Sequence, residues 1–263
     1  MSDTLLATPA PSVLRDVIVL SWRGVRLSTR NVEALIMALA LPVVLMLVFV
    51  FLLGGAIDTG GDRPYVQFAL PGVLLICIGF GAGTTAVAVA TDLATATIDR
   101  YRAMDARPAA LVGGHVAATV LRSIASTLIV VAMAFALGYR SAAGALAWAA
   151  AAGVLLAYLI GLSWLCAMLG VVASSAETAS GFTFLVSFLP YLSSAVVPIE
   201  TMPGWLQPVA RHQPLTPVIE SLRGLLDGRH AATSTPAALA WCGAIVLVSV
   251  TLATVAYRRR FGR

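Results

Sequence analysis

Apolar runs long enough to cross a bilayer recur six times along the chain, at Glu33 to Leu53, Phe68 to Ala90, Thr119 to Leu137, Ala145 to Val172, Gly181 to Val197 and Ala237 to Tyr257. A helix of about 20 mostly apolar residues crosses the ~30 Å hydrocarbon core, and only a helix or a closed barrel satisfies its own backbone there. The pattern therefore predicts an all-α membrane protein with six transmembrane helices. The first, second and sixth runs carry no charge in their interiors. The third holds Arg122 near its expected start, with an alternative start as early as Leu111. The fourth is longer than a normal span, which favours tilt or helix beyond the hydrocarbon. Pro42 and Pro190 fall inside the first and fifth runs, where each removes a helical hydrogen bond and predicts a bend.

Before the first span, Val13 to Arg30 is helical in period without being a span. At about 100° per residue, Leu14, Ile18, Trp22 and Val25 share one face, while Arg15, Arg23, Arg26 and Arg30 fall within roughly 80° on the neighbouring one. This predicts an amphipathic helix at the cytoplasmic interface, arginines toward anionic head groups and Trp22 near the boundary; a plain solvated helix is the alternative. The chain thus divides into a cytoplasmic N-terminus with this interface helix (1–32), a six-span membrane domain (33–257) and a basic cytoplasmic tail (258–263).

Charge placement orients the spans. Arg15, Arg23, Arg26 and Arg30 precede the first, Arg100, Arg102 and Arg107 follow the second, and Arg258, Arg259, Arg260 and Arg263 follow the sixth. Alternate connections carry only Arg63, Arg140 and three arginines spread over the long last loop. The positive-inside rule then places both termini in the cytoplasm.

Composition removes a competing reading. A net charge of +5, from 17 basic and 12 acidic residues, would invite a nucleic-acid partner. But only 11% of residues are charged and 59% hydrophobic, against about 25% charged in a soluble domain, and the basic residues sit at the ends of spans. Nucleic acid is excluded as a partner. All the basic residues are arginine, from which no mechanism follows. Cys77, Cys166 and Cys242 each lie in an apolar run with no zinc or redox spacing, and no metal site is expected. Met1 to Ser12 lacks the basic start of a signal peptide, so insertion through the first span is expected.

No phosphate loop of the GxxxxGK[ST] type occurs, so the chain is not by itself the usual ATPase engine. Neither HExxH nor GxSxG is present, and His115, His212 and His230 are scattered. No catalytic residues and no bound cofactor are assigned. The glycines of GFGAG, Gly79 to Gly83, suit close helix packing better than a phosphate cradle.

Two connections carry content. TDLATATIDRYRAMDARP, from Thr91 to Pro108, repeats Leu93, Thr97, Ile98 and Tyr101 at helical spacing, with Asp99, Arg100, Arg102 and Asp105 at its end. Mixed charge beside an aromatic ring suits docking onto a soluble partner, and equally suits a loop that must stay wet. The loop from Pro198 to Pro236 packs Pro198, Pro203, Pro208, Pro214 and Pro217 among Trp205, Leu206 and Val209. Thr216 as an N-cap and Pro217 at the first helical position open a stretch with Ile219, Leu222, Leu225 and Leu226 that runs to Gly228. These read as short extracellular helices capping the bundle before the last span, where Glu200 and Glu220 are placed to pair with Arg211 and Arg223.

On these residues the chain resembles the transmembrane permease subunits of type-2 ATP-binding-cassette exporters, including the daunorubicin-resistance-like permeases. IDRYRAM (Ile98 to Met104) followed by Leu121 and Arg122, and PIETMPGWLQP (Pro198 to Pro208) continuing into HQPLTPVIESLRGLLDG (His212 to Gly228), carry the likeness. It covers essentially the whole chain. Two places depart from the usual pattern: Met104-Asp105 after the charged loop and Gly114-His115 near the third span.

The resemblance implies two permease chains, identical or paralogous, with two cytoplasmic ATPase subunits that carry ATP and Mg, in a bacterial cytoplasmic membrane. It implies coupling to the ATPase through Asp92, Ile98, Asp99, Arg100, Tyr101 and Arg102, flanked by the interface helix. A hydrophobic or amphipathic solute such as a drug, lipid or glycolipid would move outward, with Thr84, Thr85, Phe184 and Phe188 as pathway lining and Glu200, Trp205, Arg211, Glu220 and Arg223 in the outer cap. An ion-coupled carrier, for which Arg122 and Glu177 come nearest to an interior ionisable group, and a membrane scaffold or lipid-modifying enzyme are the alternatives.

Overall fold

A computed structural model describes residues 32–54, 64–94, 108–195, 197–228 and 234–261. Among them the chain is helical and holds no strand. The expected interface helix with Arg15, Trp22, Arg23, Arg26 and Arg30, and the charged connection with Ile98, Asp99, Arg100, Tyr101 and Arg102, lie outside the described residues.

The helices are α1 (Val32–Leu47), α2 (Tyr65–Ala94), α3 (Pro108–Ala136), α4 (Ala145–Val172), α5 (Ala176–Phe188), α6 (Gln207–His212), α7 (Leu215–Leu226) and α8 (Ser234–Phe261). Among the described residues four helices are long and apolar enough to cross a membrane: Tyr65–Ala94, Val112–Ala136, Ala145–Val172 and Ser234–Arg260. Bounds for α4 coincide with the apolar run. At 28 residues it is about 42 Å long, well beyond the hydrocarbon thickness.

The other two runs are built differently. After α1, which contains Pro42, Val48–Leu53 winds into a π-helix. The fifth run is not one bent helix. α5 stops at Phe188, and Leu189–Leu192 forms a 3-10 turn with Pro190 in its first positions. The proline ends the α-helix because it lacks the N–H that would continue the ladder.

α2 is the most buried of the four long helices and α8 the least. The central α2 packs against α3, α4 and α5, while α4 also carries α8. Small residues permit this closeness. A Cβ at Gly83 would overlap the Thr183 side chain on α5, and one at Gly170 would overlap the backbone carbonyl of Ala86 on α2. GFGAG is thus a packing stripe at its Gly83 end. Large apolar side chains cover the exterior, with Phe51 73%, Leu146 86% and Leu247 72% exposed, as a surface facing lipid requires.

At one end of the bundle, α7 lays Leu215, Val218, Ile219, Leu222 and Leu226 inward against α4, α8 and α2. Thr216 is not its N-cap. The helix begins at Leu215 after Pro214, and the Thr216 hydroxyl donates to the Ala210 carbonyl at 2.5 Å. Its end is as expected: Gly228, just past Asp227, takes φ +68°, a conformation that costs glycine little. At the opposite end Arg260 of α8 donates from Nη1 to the carbonyls of Val171 (3.1 Å) and Ala173 (2.8 Å), placing a cation on the last carbonyls of α4.

Candidate functional site

Extending α3 back to Pro108 changes the meaning of Arg122. Rather than standing near the start of a span, it is the central residue of the helix, about 21 Å along the axis from either end. An arginine at such depth is costly in lipid and is normally turned toward the bundle interior or a cavity. Here it borders a cavity of about 440 Å³.

Four helices line that cavity: Leu41 and Pro42 from α1, Cys77, Ile78, Phe80, Gly81 and Thr84 from α2, Arg122, Ser123, Ser126 and Thr127 from α3, and Thr183 from α5. The α3 contribution follows from its period, since positions 122, 123, 126 and 127 recur on one face. Among the described lining residues Arg122 is the one charged side chain. The walls are otherwise aliphatic, aromatic and hydroxylic.

Hydroxyls organise the cationic end. Arg122 donates from Nη2 to Thr84 Oγ1 at 2.5 Å and to Thr119 Oγ1 at 3.4 Å. Thr84 in turn donates to the Gly81 carbonyl at 2.8 Å. Behind it, Thr85 and Thr119 share a buried hydroxyl contact of 2.6 Å. The Thr183 hydroxyl sits 2.9 Å from the Gly83 carbonyl and 3.0 Å from that of Ala179, which ties α5 to α2 beside the cavity. Ser123 Oγ is buried with no hydrogen-bond partner among the described residues.

The four expected pathway residues therefore separate. Thr84 lines the cavity, whereas Thr85 is buried against Thr119. Phe184 (65% exposed) and Phe188 (44%) lie on the outside of α5, ring centroids 4.5 Å apart, and do not line the cavity. Phe188 continues to Tyr191 (5.4 Å) and Tyr191 to Phe49 of the π-helix (6.4 Å). Arg122 and the α3 hydroxyls of Thr119, Ser123, Ser126 and Thr127 were not among the expected pathway residues. Their signal is visible in the chain as Thr119, Arg122, Ser123, Ser126 and Thr127, a polar stripe at helical spacing inside an apolar run.

Of the expected coupling residues, Asp92 alone lies among the described ones. It belongs to the last turn of α2, where its Oδ2 lies 3.0 Å from Nε2 of His115 on α3. The pair joins the two helices at the end that leads into the charged connection. Glu177, at the start of α5, is fully exposed. Its carboxyl is held below the usual carboxylate range by a hydrogen bond from Ser175 and by its own backbone N–H, so it is no interior proton site.

In the cap, Arg223 does not form the expected ion pair with Glu200 or Glu220. It turns inward, donating from Nη2 to the carbonyls of Ser194 (2.9 Å) and Phe68 (3.3 Å), with its guanidinium 4.0 Å over the Phe68 ring. Burial pushes it down to about 10, opposed by the negative charges of Asp227 and Glu220. Glu200, Trp205, Arg211 and Glu220 are exposed, Trp205 by 76%. Among the described residues no group of acidic, histidine or cysteine side chains could hold a metal ion.

Comparison with known proteins bears on this assembly of apolar helices around a cavity. The ABC-2 type transporter family (ABC2_membrane) matches residues 15–226. The chain is 30% identical over 240 residues to the daunorubicin resistance ABC transporter permease protein DrrB1 of Streptomyces coeruleorubidus, covering 91% of this chain and 84% of that protein. It is 22% identical over 235 residues to a probable doxorubicin resistance ABC transporter permease protein, DrrC, of Mycobacterium tuberculosis, covering 88% and 83%. Matched across most of its length and carrying helices fit to cross a membrane, the chain belongs to the ABC-2 type transporter family.

Proposed function

We propose that the chain is the permease subunit of an ATP-driven exporter that moves a hydrophobic or amphipathic solute outward across the bacterial cytoplasmic membrane. The observation that carries this reading is the family match over residues 15–226, together with two relatives named as drug-resistance permeases. In this reading α1 with its π-helix and α5 with its 3-10 turn act as the first and fifth of six spans. Both termini face the cytoplasm, in keeping with the arginine distribution.

Two permease chains assemble with two cytoplasmic ATPase subunits, which bind ATP and Mg. The segment with Ile98, Asp99, Arg100, Tyr101 and Arg102 contacts the ATPase, and the Asp92–His115 pair fixes the helix ends from which that segment departs. ATP binds the closed ATPase pair better than the open one, and only that difference in affinity can drive the permease between its states. The cavity beside Arg122, reached by α1, α2, α3 and α5, forms part of the solute route.

An ion-coupled carrier finds little support. Arg122 stays protonated and cannot relay a proton, and Glu177 is exposed at a helix start. The test is purification of the tagged chain in mild detergent from its host, with identification and stoichiometry of co-purifying proteins and an ATPase assay. One ATPase copy per permease, lost or uncoupled in Arg100→Ala or Arg102→Ala, is the expected result. Isolation without an ATPase, under conditions that preserve a control exporter, would remove this reading.

A further inference from the structure

A hydroxyl inside a membrane helix commonly bonds back to the carbonyl one turn earlier, since no water meets it there. Thr91, Ser180, Thr183, Thr251 and Thr254 do so, each donating to the carbonyl four residues before it. Three hydroxyls of α3 do not. Ser123 is buried with its Oγ unpartnered, and the half-buried Ser126 and Thr127 make no hydrogen bond among the described residues, although the carbonyls of Thr119, Arg122 and Ser123 lie one turn back. All three line the cavity shared with α1, α2 and α5. Ser163, Ser187 and Ser249 are also unpartnered, but they are sealed between helices and do not line this cavity.

A hydroxyl left unmet in apolar surroundings costs free energy, and three on one wall favour an occupant that brings oxygen to them. They stand within about 8 Å of the middle of α3. The ester carbonyls of bilayer lipids lie at the edge of a ~30 Å hydrocarbon core, too far away to serve. Water would meet the hydroxyls, but it would also wet Leu41, Pro42, Ile78 and Phe80 on the α1 and α2 walls. Those same side chains suit an apolar framework, and about 440 Å³ holds one compact ligand. From this arrangement we infer that the cavity binds a compact, apolar-bodied solute through hydroxyl or carbonyl oxygens, which Ser123, Ser126 and Thr127 engage while Leu41, Ile78 and Phe80 hold its framework. The preference does not draw on Arg122, which is already engaged. The inference rests on the exporter reading only for its place in transport; the binding preference stands on the cavity alone.

The test uses the full chain in phosphatidylcholine nanodiscs, photolabelled with benzophenone, a compact ketone that attaches to neighbouring C–H bonds. Fluorenone and fluorene, which share one ring framework and differ by the carbonyl, compete at equal mole fraction in the lipid. The label is expected on α2 and α3 around the cavity by peptide mass spectrometry. Fluorenone should compete about tenfold better than fluorene, the margin that two neutral hydrogen bonds supply. Ser126→Ala combined with Thr127→Val removes both half-buried hydroxyls, and should cut the labelling and bring the two competitors level. Ser126→Ala alone moves both readouts less in the same direction, and serves should the double variant not fold. Thr127→Ser keeps the preference, and Leu128→Ala, on the exposed face of α3, changes neither readout. Equal competition in the unaltered chain overturns the inference and leaves the hydroxyls to water. A preference that survives in the double variant overturns it too, as does label found only on lipid-facing side chains. Failure to recover an ATPase would remove the exporter reading and leave this binding result untouched.

Discussion

Arg122 of α3 reaches across to Thr84 of α2, its Nη2 lying 2.5 Å from the threonine hydroxyl oxygen. Thr84 passes the interaction on to its own helix through the Gly81 carbonyl at 2.8 Å. A charge at the centre of one span is thereby held by the backbone of another. Thr84→Val keeps the shape but removes the acceptor, and is expected to lower stability by about 1–2 kcal/mol. Thr84→Ser should remain near wild type. Thermal unfolding of the two variants in detergent checks the difference; equal melting temperatures would show that the contact contributes nothing.

Gly170 on α4 and Gly153 on the same helix give opposite expectations. A side chain at Gly170 runs into the Ala86 backbone, which cannot swing aside, so Gly170→Val should cost roughly 1–3 kcal/mol or more by forcing α2 and α4 apart. Nothing lies within 4 Å of a Cβ at Gly153. Gly153→Ala is expected to be neutral or to stabilise by up to about 1 kcal/mol through helix propensity. Melting curves for the pair test whether the α2–α4 contact is as close as described.

Arg223 ties the cap to the start of α2 and to the turn at Ser194. Arg223→Met keeps much of the stem but leaves two carbonyls without their donor and removes the contact with the Phe68 ring, an expected loss of about 1–3 kcal/mol. Its pH dependence has a definite sign. Burial pushes the folded-state value down to about 10, below that of the unfolded chain, so the folded protein gives up its proton first as pH rises. Stability contributed by Arg223 therefore increases through pH 10, and the gap between wild type and Arg223→Met should widen there. A gap that narrows on alkalinisation would contradict this.

Ser175 caps α5 by accepting from the Thr178 amide at 3.2 Å, and it also holds the Glu177 carboxyl low. Ser175→Ala should cost about 1 kcal/mol as a lost N-cap. It should also move the Glu177 titration up toward the ordinary carboxylate range, read by carboxyl carbon NMR. Because the folded value is depressed, the Glu177 contribution is present above the ordinary carboxylate value and lost as pH falls through the folded one.

Helix type and much of the span layout were legible in the chain because they depend on local quantities: the length of an apolar run, its period and its interruptions. Ala145 to Val172 reads the same in sequence and in structure for this reason. Arg122 was visible as a charge in an apolar run, and Thr84 as a polar residue in the second. Their meeting was not, since they lie on different helices and the contact depends on how α3 is set against α2.

What the sequence by itself determined is an all-helical membrane chain of the ABC-2 type transporter family, since composition, run length and the motifs around Ile98 and Pro198 are properties of the linear chain. Tertiary structure alone decided that Arg122 faces a cavity, that Phe184 and Phe188 lie outside it, that Asp92 is engaged by His115, and that Arg223 turns inward to backbone carbonyls. Each outcome depends on which groups of distant segments become neighbours. Buried donors take whatever acceptor packing presents, and charge complementarity along the sequence does not reveal that Arg223 will donate to a carbonyl of Ser194.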